Sequence, residues 1–199
     1  MPPKAEITKE KVLEAAFEIV RAHGLEALTA RSIAQKLKCS TQPIYSVYGN
    51  MVELKDDVYD KAVSFANARM SEYEDEKNVL ALNNAIGCLY FAKNEKQLFK
   101  TVYLSGYRKF DSKDKLLNVE SFISFLHMEH NTSQTAVPES TLSKIFLKLS
   151  IYLIGIGSMI NTDTLDLDIN EAAEMMIEMY EALLLKADQE VLSKVARDE

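Results

Sequence analysis

Apolar positions recur along this chain at helical spacing, and no run of strict apolar–polar alternation lasts long enough to build a sheet. A first helix is expected over about Thr8–His23, with Leu13, Ala16, Phe17 and Val20 on one face. Gly24 stands where a left-handed residue closes such a helix. Thr29 is placed to cap a short second helix carrying Ile33, Ala34 and Leu37. Ser40 is placed to cap a third, from Thr41 to about Tyr48, with Pro43 near its third position and Gly49 ending it. Asn50-x-x-Glu53 has the form of a capping box and opens a long helix with Leu54, Val58, Ala62 and Phe65 inward.

Beyond the acidic stretch from Glu72 to Lys77, helical segments are expected near Val79–Lys93, Glu95–Leu104 and Ser112–His127. A polar loop, Glu129–Thr135, precedes a helix from about Pro138 to Ile160. Asp168-x-x-Glu171 then opens the last helix, expected to reach about Lys186. The fold class is all-α with about nine helices: a small N-terminal unit over residues 1–50, and a larger helical bundle over 51–199 that starts with the fourth helix.

The 199 residues are 47% hydrophobic, enough for a buried core, and four Pro with six Gly argue against a turn-rich β architecture. The N-terminus lacks the apolar run of a secretory signal. The most apolar stretch, Ile145–Ile160, is expected to be too short and too interrupted by Lys148, Ser150, Gly155, Gly157 and Ser158 to span a membrane. Cys39 and Cys88 lie far apart and read as small packing residues in a reducing cytoplasm. The net charge of −7 averages two unlike parts. Residues 1–50 hold seven basic and five acidic side chains, and from Leu28 to Met51 every charged residue (Arg31, Lys36, Lys38) is basic. The acidic excess therefore belongs to the larger part and keeps that part away from polyanions.

The stretch Thr29–Tyr48 carries the chemistry. Two short helices joined by a turn of about three residues form a helix-turn-helix, whose second helix enters the DNA major groove. Ser40, Thr41 and Gln42 crowd the start of that second helix with donors and acceptors, and a Gln side chain reads adenine through two hydrogen bonds. Tyr45 and Tyr48 add hydroxyls that reach phosphates or rings that pack on the preceding helix; for Tyr48 packing is the expected role.

With Ala15-Ala16-Phe17, Gly24-Leu25-Glu26-Ala27-Leu28-Thr29, Arg31-Ser32-Ile33-Ala34, Ser40-x-x-x-Ile44-Tyr45, Tyr48-x-Asn50 and Glu53-Leu54, the segment Ile7–Asp57 resembles the DNA-binding domain of TetR-family transcriptional regulators. The resemblance covers about a quarter of the chain. It implies that Thr29 caps the second helix and bonds a phosphate, and that Arg31 lies close to the groove. It places Ser40, Thr41, Gln42 and Pro43 at base edges or backbone, and Tyr45 on a phosphate. Met51 stands where the family often has Lys, which leaves Lys55 as the nearby cation. Phosphate grip then falls to backbone N–H groups, Lys36, Lys38 and Lys55.

The last two helices are too apolar for one buried face each, which points to a homodimer built on a four-helix bundle. Its interface is expected at Leu149, Tyr152, Leu153, Ile156, Met176, Tyr180 and Leu183; a thick monomer core is the alternative. The resemblance implies a small-molecule effector site among the middle helices, with Phe91, Tyr103, Phe122 and Met128 as wall residues. The implied function is a cytoplasmic homodimeric repressor on a near-palindromic double-stranded DNA operator, released by that unidentified effector. The alternatives are an activator, or a ligand-binding or scaffold protein with vestigial DNA binding. No phosphate loop, H-E-x-x-H or G-x-S-x-G is present, so no catalytic residue, cofactor or enzymatic activity is expected. His127 and His130, with Glu129 between them, lack a third ligand at a telling spacing, and Asp163, Asp166 and Asp168 lack the calcium-loop pattern, so no metal is expected either.

Overall fold

A computed structural model describes residues 6–78, 80–109 and 139–198, and among these all regular structure is helical. The chain divides into two units.

The first unit comprises residues 6–66 with Glu95–Lys109. Helix α1 (Lys9–His23) is capped by Thr8, whose hydroxyl accepts from the Lys11 N–H. It buries Val12, Ala15, Ala16, Phe17, Ile19 and Val20. Leu13, expected inward, is half-buried instead, because the buried stripe is centred one position earlier, on Val12 and Ile19. Gly24 has φ 83° and donates to the Val20 carbonyl, but its ψ of 170° takes the chain out of the left-handed helical turn and into a 3-10 turn, Leu25–Ala27. Helix α2 (Ala30–Lys36) and helix α3 (Gln42–Val47) follow.

Helix α4 (Met51–Met70) begins as read: the Asn50 side chain accepts from the Val52 and Glu53 N–H groups, both at 2.9 Å. The Glu53 carboxylate reaches back one residue further than a standard capping box, to the Gly49 N–H. Leu54, Val58 and Ala62 are buried, whereas Phe65 is half-buried, 5.5 Å from the Phe17 ring and under the Arg21 guanidinium. The unit's last segment is α6 (Lys96–Phe99), which widens into a π turn over Lys100–Leu104. Thr101 and Ser105 bond the carbonyls four residues back, and such hydroxyls compete with the regular helical ladder. This segment is tied to α4 where Tyr59 donates to the Val102 carbonyl (3.0 Å), Tyr107 to Asp56 (3.0 Å), and Arg108 to both Asp56 and Asp60.

The second unit contains Asn67–Asn94 and the described residues from 139 onward. Helix α5 (Leu80–Asn94) buries Ile86, Cys88, Leu89, Phe91 and Ala92 against α7 (Glu139–Asn161) and α8 (Ile169–Asp198). On α7 the buried residues are Leu142, Ile145, Leu149, Leu153, Ile156 and Ile160, a single stripe at helical spacing. The buried Asn161 amide donates to the Ala92 carbonyl at 2.9 Å. Asp168 and Glu171 form a reciprocal capping box at the start of α8, as their spacing predicts. Two expectations are corrected. Helix α8 runs on past Lys186 to Asp198, since no Gly or Pro stops it. Ser140–Asn161 is one unbroken helix, because Gly155 and Gly157 do not interrupt it, and by length and composition it is long and apolar enough to cross a membrane. One face of that helix lies in the core just described.

Candidate nucleic-acid interface

The site is built from α2, a tight turn and α3. Thr29 and Ser32 cap α2 reciprocally: the Thr29 hydroxyl accepts from the Ser32 N–H and the Ser32 hydroxyl from the Thr29 N–H, each at 3.0 Å. A short Ser here does the work that Glu or Gln does in the usual box. The Thr29 hydroxyl also donates to Ser32, so its first commitment is local. Leu37 ends α2, and Lys38, with φ 52°, reverses the chain in the turn while remaining exposed.

Helix α3 starts one residue later than its polar run suggests. Thr41, not Ser40, is the N-cap, with helical backbone angles and no side-chain cap bond, and Pro43 falls at the second helical position. There its missing N–H costs no intrahelical bond. Ser40, Thr41, Gln42 and Ser46 are exposed, Tyr45 is 50% exposed, and Pro43 is half-buried. Ile44 is fully buried, a contribution of about 1.5–3 kcal/mol for a side chain of this size. Tyr48 is buried too, as its packing role predicts. One side of α3 is thus anchored by Ile44 and Tyr48, while the other presents neutral hydrogen-bonding groups to solvent.

The cations divide by commitment. Lys36 Nζ lies 2.6 Å from the Glu18 carboxylate on α1, and Lys9 lies 3.0 Å from Asp57. Arg21 makes a two-pronged pair with Glu95. The exposed lysine pairs contribute only about 0–1 kcal/mol each, so they can be exchanged for other anions. Arg31 and Lys38 are exposed and Lys55 is half-buried; none has an ion pair with another described residue. Sequence reasoning missed Lys9, Glu18 and Asp57, which join this site only through contacts between helices. The one local signal was the hydroxyl on Tyr48.

An anchored helix, a short turn and a second short helix with an exposed polar edge make a helix-turn-helix. No family model and no curated protein matches the chain. Solved structures do. One, a TetR-like transcriptional regulator from Rhodococcus sp. RHA1, has 14% identity and a TM-score of 0.56, covering 93% of this chain and 98% of that one. The chain has the fold of TetR-like regulators. A TetR variant from Acinetobacter baumannii AYE in complex with minocycline has 17% identity and a TM-score of 0.57 over the same shares of the two chains. TetR from the same organism has 18% identity and a TM-score of 0.53, with 97% of this chain and 99% of that one covered.

Phe91 is buried in the second unit, whereas Tyr103 is buried in the first, its ring 5.0 Å from Phe99. Phe122, Met128, His127, Glu129 and His130 lie outside the described residues. Of the expected interface residues, Leu149, Leu153, Ile156 and Met176 are buried in the chain's own core, and Tyr152, Tyr180 and Leu183 are half-buried. Among the described residues, the large apolar side chains left exposed on these two helices include Leu147, Ile151 and Met159 on α7, and Ile177 and Leu185 on α8.

Proposed function

We propose that the chain is a sequence-specific DNA-binding transcriptional regulator, a cytoplasmic homodimeric repressor released from its operator by a small-molecule effector. The observation that carries this reading is the exposed, uncharged edge of α3, with Thr41, Gln42 and Tyr45 flanked by the uncommitted cations Arg31 and Lys38. In this reading Gln42 and Thr41 read base edges, with Ser40 and Pro43 against base edges or backbone. Arg31, Tyr45, Lys55 and the α2 start at Thr29 hold phosphates.

Dimerisation places two such heads on one duplex, and a two-fold protein axis calls for a near-palindromic operator. The outward apolar residues of α7 and α8 support a self-complementary surface: Leu147, Ile151 and Ile154 recur at the spacing of one helix face, and Gly155 beside them has open space around it. Half-buried Tyr152, Tyr180 and Leu183 extend it. The minocycline complex among the fold neighbours supports an effector of small-molecule size, with Phe91 as a wall candidate. Helix α4 is the natural lever, since it continues from the reading head into the effector-binding part, over residues 51–199.

The test is a mobility-shift assay on the DNA upstream of the protein's own gene at low salt, with Gln42→Ala as control. A retarded wild-type complex that Gln42→Ala weakens is expected. No binding overturns the reading.

A further inference from the structure

Helix α3 is only six residues long and has no side-chain cap at its start, so nothing in its own sequence holds it at a fixed angle. Ile44 fixes one point of it. A second point is supplied just past its end, where parts of three helices meet on Tyr48. The Tyr48 hydroxyl donates to Asp57 Oδ2 on α4 at 3.0 Å. Lys9, from the first turn of α1, lies 3.0 Å from the same oxygen and 4.6 Å from the centre of the Tyr48 ring. Lys9 also reaches Glu53 at 3.4 Å, and Glu53 in turn accepts the Gly49 N–H, the next backbone donor after Tyr48. A phenylalanine fills the same volume; only a tyrosine gives this end of α3 a directional bond.

We propose that Lys9, Tyr48 and Asp57 form a clamp that fixes the attitude of α3 and thereby sets how sharply the protein discriminates between DNA sequences. The three act as positioning residues, and the inference rests on the DNA-binding reading above. Tyr48 is 1% exposed, so its ring is held away from water while the Asp57 carboxylate it bonds is partly exposed. The groups are also electrically matched. Burial, and then Asp57, push the Tyr48 phenol up and keep it a donor, while Lys9 holds the Asp57 carboxyl below its ordinary range and keeps it an acceptor.

The experiment uses the full chain, Tyr48→Phe and Lys9→Met. The probe is a duplex that the wild type selects from a random-sequence library, compared with the same duplex after its half-sites are scrambled. Amide hydrogen exchange is followed in parallel without DNA. Tyr48→Phe should exchange faster at Ile44–Tyr48 with α1 and α4 unchanged, and its preference for the selected duplex should fall about three- to tenfold, the range for one lost hydrogen bond. The slope of log affinity against log salt should stay the same in both variants, because no phosphate contact is removed. Wild-type exchange and wild-type discrimination in Tyr48→Phe overturn the clamp. A Lys9→Met variant that keeps its discrimination but has a shallower salt slope also overturns it, since Lys9 is then a phosphate ligand. If the wild type selects no sequence, the DNA-binding reading fails; faster α3 exchange in Tyr48→Phe then still supports the clamp as the device that holds α3, and unchanged exchange overturns that as well.

Discussion

Gly87 on α5 lies against the backbone of Met70 at the end of α4. A β-carbon built at Gly87 would stand 2.8 Å from the Met70 carbonyl carbon, 2.9 Å from its Cα, and closer still to its oxygen. Real β-carbons do not approach backbone atoms so closely, and backbone cannot swing aside as a flexible side chain does. In an exposed helix interior Gly→Ala stabilises, by roughly 0.5–1 kcal/mol. Here the sign reverses. Gly87→Ala should lose stability by about 1–3 kcal/mol, the usual cost of overpacking, measured as a lower urea midpoint at unchanged m-value.

Much of the local structure was legible because it is written in short range. Thr29, Asn50 and Asp168 cap the helices their spacing assigns them, since a cap is made between residues three apart. Tyr48 packs inward as expected. Ambiguity entered where several neighbours offered the same chemistry: Ser40 and Thr41 are both polar, and only the backbone angles distinguish the cap. The last two helices were harder. Helix α7 is apolar on both sides, so periodicity locates two faces without telling which one packs on the chain itself. Lys36 and Glu18, or Lys9 and Asp57, stand on different helices, and no sequence pattern pairs them.

That ambiguity between faces becomes a test. Leu153 is 6% exposed and Ile151 is 67% exposed, two positions apart on α7. Leu153→Ala should destabilise the chain by about 2–5 kcal/mol, as large-to-small core changes do. If α7 carries the proposed dimer interface, Ile151→Glu should leave the fold of each chain intact and shift the molecule from dimer to monomer in analytical ultracentrifugation. A dimer that survives Ile151→Glu together with Leu147→Glu would move the interface elsewhere.

Glu18 pairs with a cation of the helix-turn-helix. Lys36 holds the Glu18 carboxyl below its ordinary range, and their contact occupies a charge that phosphates would otherwise attract. Glu18→Gln removes one negative charge from the head and frees Lys36. Binding to scrambled duplex should tighten, and its salt slope should steepen by up to about one unit, the value for one additional phosphate neutralised. A slope unchanged within error would show that Lys36 faces no phosphate.

The clamp also predicts how stability depends on pH. Lys9 and then the Tyr48 hydroxyl lower the Asp57 pKa in the folded chain, while in the unfolded chain it returns to about 4. The folded state therefore binds fewer protons than the unfolded one in that region, and stability rises with pH there. The contribution of Asp57 is present above pH 4 and is lost as the pH falls through the lower, folded value. Asp57→Asn removes the titrating group, so the variant should be less stable than the wild type at pH 7 and should lose less on going to about pH 2–3. Glu10 and Glu18 are held low by their own partners, so part of the acid dependence should persist in the variant. Because the Lys9–Asp57 pair is largely exposed, about 1 M salt should shrink the difference between the two proteins. Urea unfolding of both proteins at pH 7 and near pH 3, at low and high salt, measures all of this, and parallel pH curves for wild type and Asp57→Asn would show that Asp57 titrates alike in the folded and unfolded chains.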